Sequence, residues 1–79
     1  MHDTRTDARD AYERVIGIVQ HNTGGSQPPT MAEVHVRTIA SHAGLGRDAV
    51  DAALQAAVEQ DALVRVSDDG RTRYGVTGL

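Results

Sequence analysis

The stretch Val36–Val50 reads VRTIASHAGLGRDAV and holds the clearest structural signal in the chain. Ile39, Ala40 and Ala43 fall on one side of a helix within it, which predicts a short helix over Arg37–Ala43. Gly44 follows directly, and glycine at this position typically ends a helix by adopting left-handed backbone. The stretch therefore predicts a short helix, a tight turn and the start of a second helix.

Helical periodicity continues on both sides of this stretch. After the turn it predicts a helix over about 47–60, whose apolar positions are Val50, Ala53, Leu54, Ala57 and Val58. Before the turn it predicts a longer helix over about 6–21, whose apolar positions are Ala8, Ala11, Tyr12, Val15, Ile16 and Val19. We expect residues 1–5 to form a frayed terminus and residues 22–30, which include two Gly and two Pro, to form a loop.

The segment Met31–Val36 allows two interpretations. Val34 and Val36 alternate with polar residues, which favours a short strand. Thr30 is also placed to cap a helical turn, which favours a helix instead. The sequence leaves both open.

The C-terminal residues predict a β-hairpin with strands Leu63–Ser67 and Arg71–Val76. A two-residue turn at Asp69–Gly70 would place Arg65 opposite Tyr74 and mix charge with core on one face. A three-residue loop would instead bring all the apolar residues to one face, with Val64 opposite Tyr74 and Val66 opposite Thr72. We therefore predict the three-residue loop, with an outer face that carries Arg65, Ser67, Arg71 and Arg73.

Length and composition exclude several classes of protein. The 79 residues suffice for one domain, which we expect to span 1–79. The chain has no cysteine, so disulfides and thiolate zinc sites are excluded. No apolar run is long enough for a membrane span or a signal peptide, so we expect a cytoplasmic protein without membrane contact.

The charge composition is unusual. All eight basic residues are Arg, Asp outnumbers Glu eight to three, and the net charge is −3. This bias resembles that of haloarchaeal proteins, and of some actinobacterial ones. An acidic chain ordinarily argues against DNA binding, but molar salt reduces the screening length to about 3 Å and weakens that objection.

The order helix, short strand, helix, tight turn, helix and hairpin resembles that of the winged helix-turn-helix superfamily. Ala40 stands where that family has a small residue, Gly44 stands at its turn, and Leu45 follows as a core residue. The run 62–65, ALVR, is similar to the family's entry into the wing, with Ala where Gly is usual. The resemblance implies an α+β, mainly α fold with three helices and a C-terminal β-hairpin wing.

The resemblance also implies a DNA-binding surface. The third helix would enter the major groove, where Arg47 could pair with guanine and Gln55 with adenine. Phosphate contacts would come from Arg37 and the wing, which completes a candidate set of Arg37, Arg47, Asp48, Asp51, Gln55, Arg65, Arg71 and Arg73.

Asp48 and Asp51 depart from what a DNA-binding face requires, since they place two carboxylates where a polyanion would lie. Three interpretations are open: the two carboxylates accept hydrogen bonds from cytosine amino groups, they orient Arg47, or they belong to a surface that contacts a protein. An ordinary helix surface, with Arg47 paired to Asp51, is a further interpretation.

The sequence offers no good case for an enzyme, a metal or a cofactor. His2, His21, His35 and His42 lack the spacing of a helix-borne metal site. Gly44, Gly46 and Ala49 formally match a dinucleotide fingerprint, but that motif must follow a strand, and here it follows a helix. We therefore predict no catalytic residues.

The preferred function is a small transcriptional regulator that binds double-stranded DNA. The alternative is a winged-helix module for protein contact in a replication, repair or transcription assembly; a toxin–antitoxin or viral accessory regulator would look the same as the first. Ile18 and Val34 are apolar positions left outside the main faces, which suggests a homodimer contact.

Overall fold

The structure is a computed structural model that describes the backbone of residues 4–77 and side chains from residue 9 onward. Its elements are α1 (Thr4–Asn22), β1 (Met31–Ala32), α2 (Glu33–His42), α3 (Arg47–Glu59), β2 (Leu63–Asp68) and β3 (Arg71–Val76). The predicted α+β, mainly helical class is confirmed. The predicted frayed terminus is too long, because Thr4 and Arg5 already belong to α1; residues 1–3 lie outside the described part.

The core forms where the three helices meet the sheet. It consists of buried residues from every element: Ala11, Val15, Val19, Met31, Val36, Ala40, Val50, Ala53, Leu54, Ala57, Leu63 and Tyr74. The helical stripes predicted for α1 and α3 supply most of this set, while Tyr12, Ile16 and Val58 pack at its edge. Ala8 lies outside the described side chains.

Both interpretations of Met31–Val36 are only partly right. Met31 and Ala32 form the short strand β1, and α2 begins directly after it at Glu33. Val34 and Val36 therefore both lie in α2, where Val34 is exposed and Val36 is buried. The residue that precedes the helix is Ala32, which makes no side-chain capping bond, so Thr30 does not cap it.

The turn between α2 and α3 has the predicted glycine geometry. Gly44 has φ +86°. The Leu45 amide donates to the Ala40 carbonyl at 3.0 Å, and the Gly44 amide donates to the Ser41 carbonyl at 3.0 Å. This is the hydrogen-bond pattern of a Schellman motif, which ends α2 and reverses the chain into α3.

The sheet is antiparallel with strand order β1-β3-β2, so β2 is an edge strand. The predicted three-residue hairpin loop is wrong. Asp69 (φ +51°) and Gly70 (φ +81°) form a two-residue turn, the geometry of type I′, whose twist matches that of the strands. Arg65 lies opposite Tyr74, and Val66 lies opposite Arg73.

This register changes which residues share a face. Arg65 and Ser67 lie on the inner face with buried Leu63 and Tyr74, because directly opposed residues point to the same side. The open face carries Val64 and Val66 together with Arg71 and Arg73, so the predicted cluster of wing arginines is divided between two faces. None of the described helices is long and apolar enough to cross a membrane.

Candidate nucleic-acid interface

The outer face of α3 carries the residues that the sequence assigned to the major groove. Its exposed side chains are Arg47, Asp48, Asp51, Ala52, Gln55 and Glu59. Carboxylates therefore outnumber arginines on this helix. Gln55 donates to Glu59 at 3.3 Å, so it would have to leave that partner before it could read a base.

Arg37 links the two helices on either side of the Gly44 turn. Its Nη2 donates to Glu33 Oε1 at 2.9 Å within α2 and to Asp51 across the gap to α3. The hydrogen bond to Asp51 raises the pKa of Arg37 and outweighs partial burial, which lowers it. Asp51 therefore pairs with Arg37, and the Arg47–Asp51 pair that the sequence suggested does not form.

Arg73 is similarly committed within the protein. Its Nε donates to Thr30 Oγ1 and its Nη2 to the Thr30 carbonyl, both at 2.8 Å. These bonds tie the loop that precedes β1 to the central strand β3. Arg73 thus has a structural task that its position in the sequence did not reveal, since Thr30 is 43 residues away.

The other three candidate arginines make no ion pair with the described residues. Arg47 lies at the first position of α3, Arg65 lies on the inner face of β2, and Arg71 follows the hairpin turn. All three are exposed. Their guanidinium groups are available to an external anion.

Two neighbouring clefts connect Arg47 and Arg65 along one surface. A cleft of about 280 Å³ between α2, α3 and the hairpin is lined by Glu33, Arg37, Asp51, Leu54, Gln55, Val58, Glu59, Arg65 and Tyr74. A second cleft of about 300 Å³ is lined by Arg37, Ser41, Leu45, Arg47 and Val50. Since Arg37 borders both, we name the surface through Arg47, Arg37 and Arg65 the arginine track.

Carboxylates interrupt the arginine track. Glu33, Asp51 and Glu59 line the first cleft beside Arg37 and Arg65. The pKa of Tyr74 at its base is raised, mainly because burial disfavours the phenolate. Neutral Tyr74 and paired Arg37 leave Arg65 as the cation that an approaching phosphate would meet in this cleft.

The side chains and backbone groups to which the candidate residues are bonded were not identified from the sequence. Glu33 lies in the segment whose alternation suggests a strand, although its spacing of four from Arg37 is a helical ion-pair signal once α2 is recognised. Glu59, four residues after Gln55, gives the same kind of signal. No local signal joins Thr30 to Arg73.

The histidines show no metal-binding arrangement in the described part of the chain. His21, His35 and His42 are exposed, and no group of three potential ligands converges there. His2 lies outside the described residues.

Comparison with family models, curated proteins and solved structures gave no significant match to this chain.

Proposed function

We propose that the chain is a winged helix-turn-helix protein that binds double-stranded DNA as a small transcriptional regulator. The observation that carries the proposal is the arginine track, which runs from the first residue of α3 to the hairpin. The order of elements and the antiparallel hairpin after α3 support the winged-helix assignment. In such folds a helix enters the major groove while the hairpin contacts adjacent phosphates.

Arg47 is the base-reading residue of this proposal. It begins α3, and the preceding residue Gly46 provides no side-chain cap, so amide groups at this end remain available. The helix dipole adds partial positive charge there. Arg47 can pair with guanine in the major groove, while Asp48 beside it can accept from a cytosine amino group.

The hairpin contributes phosphate contacts through Arg65 and Arg71. Arg65 extends the track along β2, and Arg71 lies just beyond the turn opposite Asp68. In this proposal Arg37 and Arg73 chiefly orient protein segments, because Arg37 already pairs with Glu33 and Asp51 and Arg73 already bonds Thr30.

The test is fluorescence anisotropy of a mixed-sequence duplex, titrated with protein from low salt to molar KCl. Log affinity should fall linearly with log salt, and removing one phosphate-binding side chain should reduce the slope by about 0.9. We expect Arg71→Ala and Arg65→Ala each to weaken binding and to reduce this slope. Arg14→Ala removes the same charge from the exposed surface of α1 and serves as the matched control.

If no duplex binds at any salt at which the protein stays folded, the proposal is wrong. It is equally wrong if Arg14→Ala reduces the slope as much as Arg65→Ala, because binding would then follow net charge and not the arginine track.

A protein partner is the second candidate function, and the acidity of α3 favours it. Asp48, Asp51 and Glu59 are exposed along α3, which suits a basic protein surface better than a polyanion. Asp48→Asn separates the two functions, since Asp48 makes no ion pair with the described residues. DNA binding predicts tighter nonspecific duplex binding by this variant, because a repulsive charge is removed. Protein binding predicts no duplex binding by either form.

A further inference from the structure

The edge strand β2 is unprotected along most of its length. It lies at the end of the sheet order β1-β3-β2, and its residues 64–68 are exposed. Natural edge strands are commonly shortened, bulged, or guarded by proline or by charged side chains, above all lysine. The six residues LVRVSD contain no proline or lysine and pair with β3 without a bulge, and their two charged residues, Arg65 and Asp68, have opposite signs.

The hairpin geometry shows which backbone groups of β2 are unused. A two-residue turn makes Asp68 and Arg71 a hydrogen-bonded pair, and such pairs then alternate along the hairpin. Val64 and Val66 therefore direct their amide and carbonyl groups toward β3. Arg65 and Ser67 direct theirs to the open edge, and no described backbone group outside the sheet bonds them.

We propose that the β2 edge pairs antiparallel with the same edge of a second copy, which joins two three-stranded sheets into one. The charges on β2 are complementary to themselves in this orientation. Arg65 lies in its first half, and Asp68 and Asp69 lie at its end. Antiparallel pairing brings the basic half of each copy against the acidic end of the other, whereas parallel pairing would oppose like charges.

A register with its two-fold axis at Val66 satisfies both the backbone and the charges. In this register, Arg65 of one copy forms a hydrogen-bonded pair with Ser67 of the other, one step from the other copy's Asp69. The two Val66 side chains then meet on the open face, where each monomer leaves Val64 and Val66 about two-fifths exposed, at 38% and 39%. Moving the axis to Arg65 would oppose two arginines directly.

The test is light scattering after size-exclusion chromatography, from micromolar to millimolar protein. The wild type should shift from monomer to dimer mass as concentration rises. Ser67→Pro removes an amide that only the second copy uses, so it should abolish the dimer and leave the monomer's melting temperature unchanged. Val66→Glu should also abolish the dimer, because it places two glutamates against each other at the two-fold axis. It should leave the monomer stable, because Arg73 lies opposite position 66 on β3 and can pair with the glutamate.

Val34→Glu is the matched control, because Val34 is the most exposed valine, at 71%, and lies on α2. It should leave the dimer intact. The proposal is overturned if the wild type stays monomeric throughout, or if Val66→Glu still dimerises. It is also overturned if Val34→Glu alone dissociates the dimer, since the contact would then lie at Val34, one of the two apolar positions that the sequence suggested. None of these outcomes depends on DNA binding.

Discussion

Two turns of this protein, at Gly44 and at Asp69–Gly70, both use left-handed backbone, but the sequence predicted only the first turn correctly. The Gly44 turn follows from local rules, since a helical stripe ends at a glycine and resumes after it. The hairpin turn sets the two faces of a sheet, and there apolar pattern and turn chemistry disagree. The Asp–Gly turn prevails, and Val64 and Val66 face outward.

The difference arises from what each pattern has to specify. In a helix, apolar spacing fixes the buried face by itself. In a short hairpin that extends past the helices, only Leu63, Tyr74 and their neighbours reach the core, so the outer valines carry no information about register.

The largest expected effect is at the inner face of the hairpin. Leu63→Ala should lower the free energy of unfolding by about 2–5 kcal/mol, because it leaves a cavity in the core. Val66→Ala, measured by the same urea titration on dilute monomer, should change it by no more than about 0.5 kcal/mol. A large decrease in stability for Val66→Ala would favour the three-residue loop, in which Val66 faces the core.

A smaller effect of known sign is expected at the Gly44 turn. Gly44→Ala should cost about 1–2 kcal/mol, because alanine is strained at φ +86°. Gly17→Ala makes the same substitution inside α1, where a Cβ meets no atom within 4 Å, and should stabilise by about 0.5–1 kcal/mol. Thermal melts of the two variants should therefore move in opposite directions. Equal shifts would mean that Gly44 does not need its left-handed backbone.

The sequence predicted the parts of the fold that depend on local periodicity. The stripes of α1 and α3, the Gly44 turn and the existence of the hairpin all followed from spacing. The start of α2 was missed because Val34 and Val36 alternate as they would in a strand. The left-handed backbone of Asp61, just after α3, was missed because aspartate indicates left-handed backbone much less clearly than glycine does.

The candidate site was predictable as a set of residues but not as a set of roles. Arg37 and Arg73 have the same side chain as Arg47 and Arg71, and only long-range contacts to Asp51 and Thr30 distinguish them. The spacing of four between Glu33 and Arg37 is a local signal, but Asp51 and Thr30 lie far from their arginines in the sequence, so no spacing rule could have assigned them.

The smallest expected effect on stability separates these two kinds of arginine. Arg73→Ala should cost about 1 kcal/mol, because it removes the two hydrogen bonds to Thr30. Arg71→Ala, two residues away on the same strand, should change stability by less than about 0.5 kcal/mol. Urea titrations at matched salt measure both. Equal costs would show that Arg73 is no more committed to the fold than Arg71.

The most direct test of DNA binding through the arginine track is a nuclear magnetic resonance titration of the protein with a short mixed-sequence duplex at low salt. We predict that the largest shifts of backbone amides fall near Arg47, Arg65 and Arg71, while the α1 surface around Arg14 stays unchanged. Absence of shifts along the arginine track, or shifts concentrated on α1, would contradict this mode of binding.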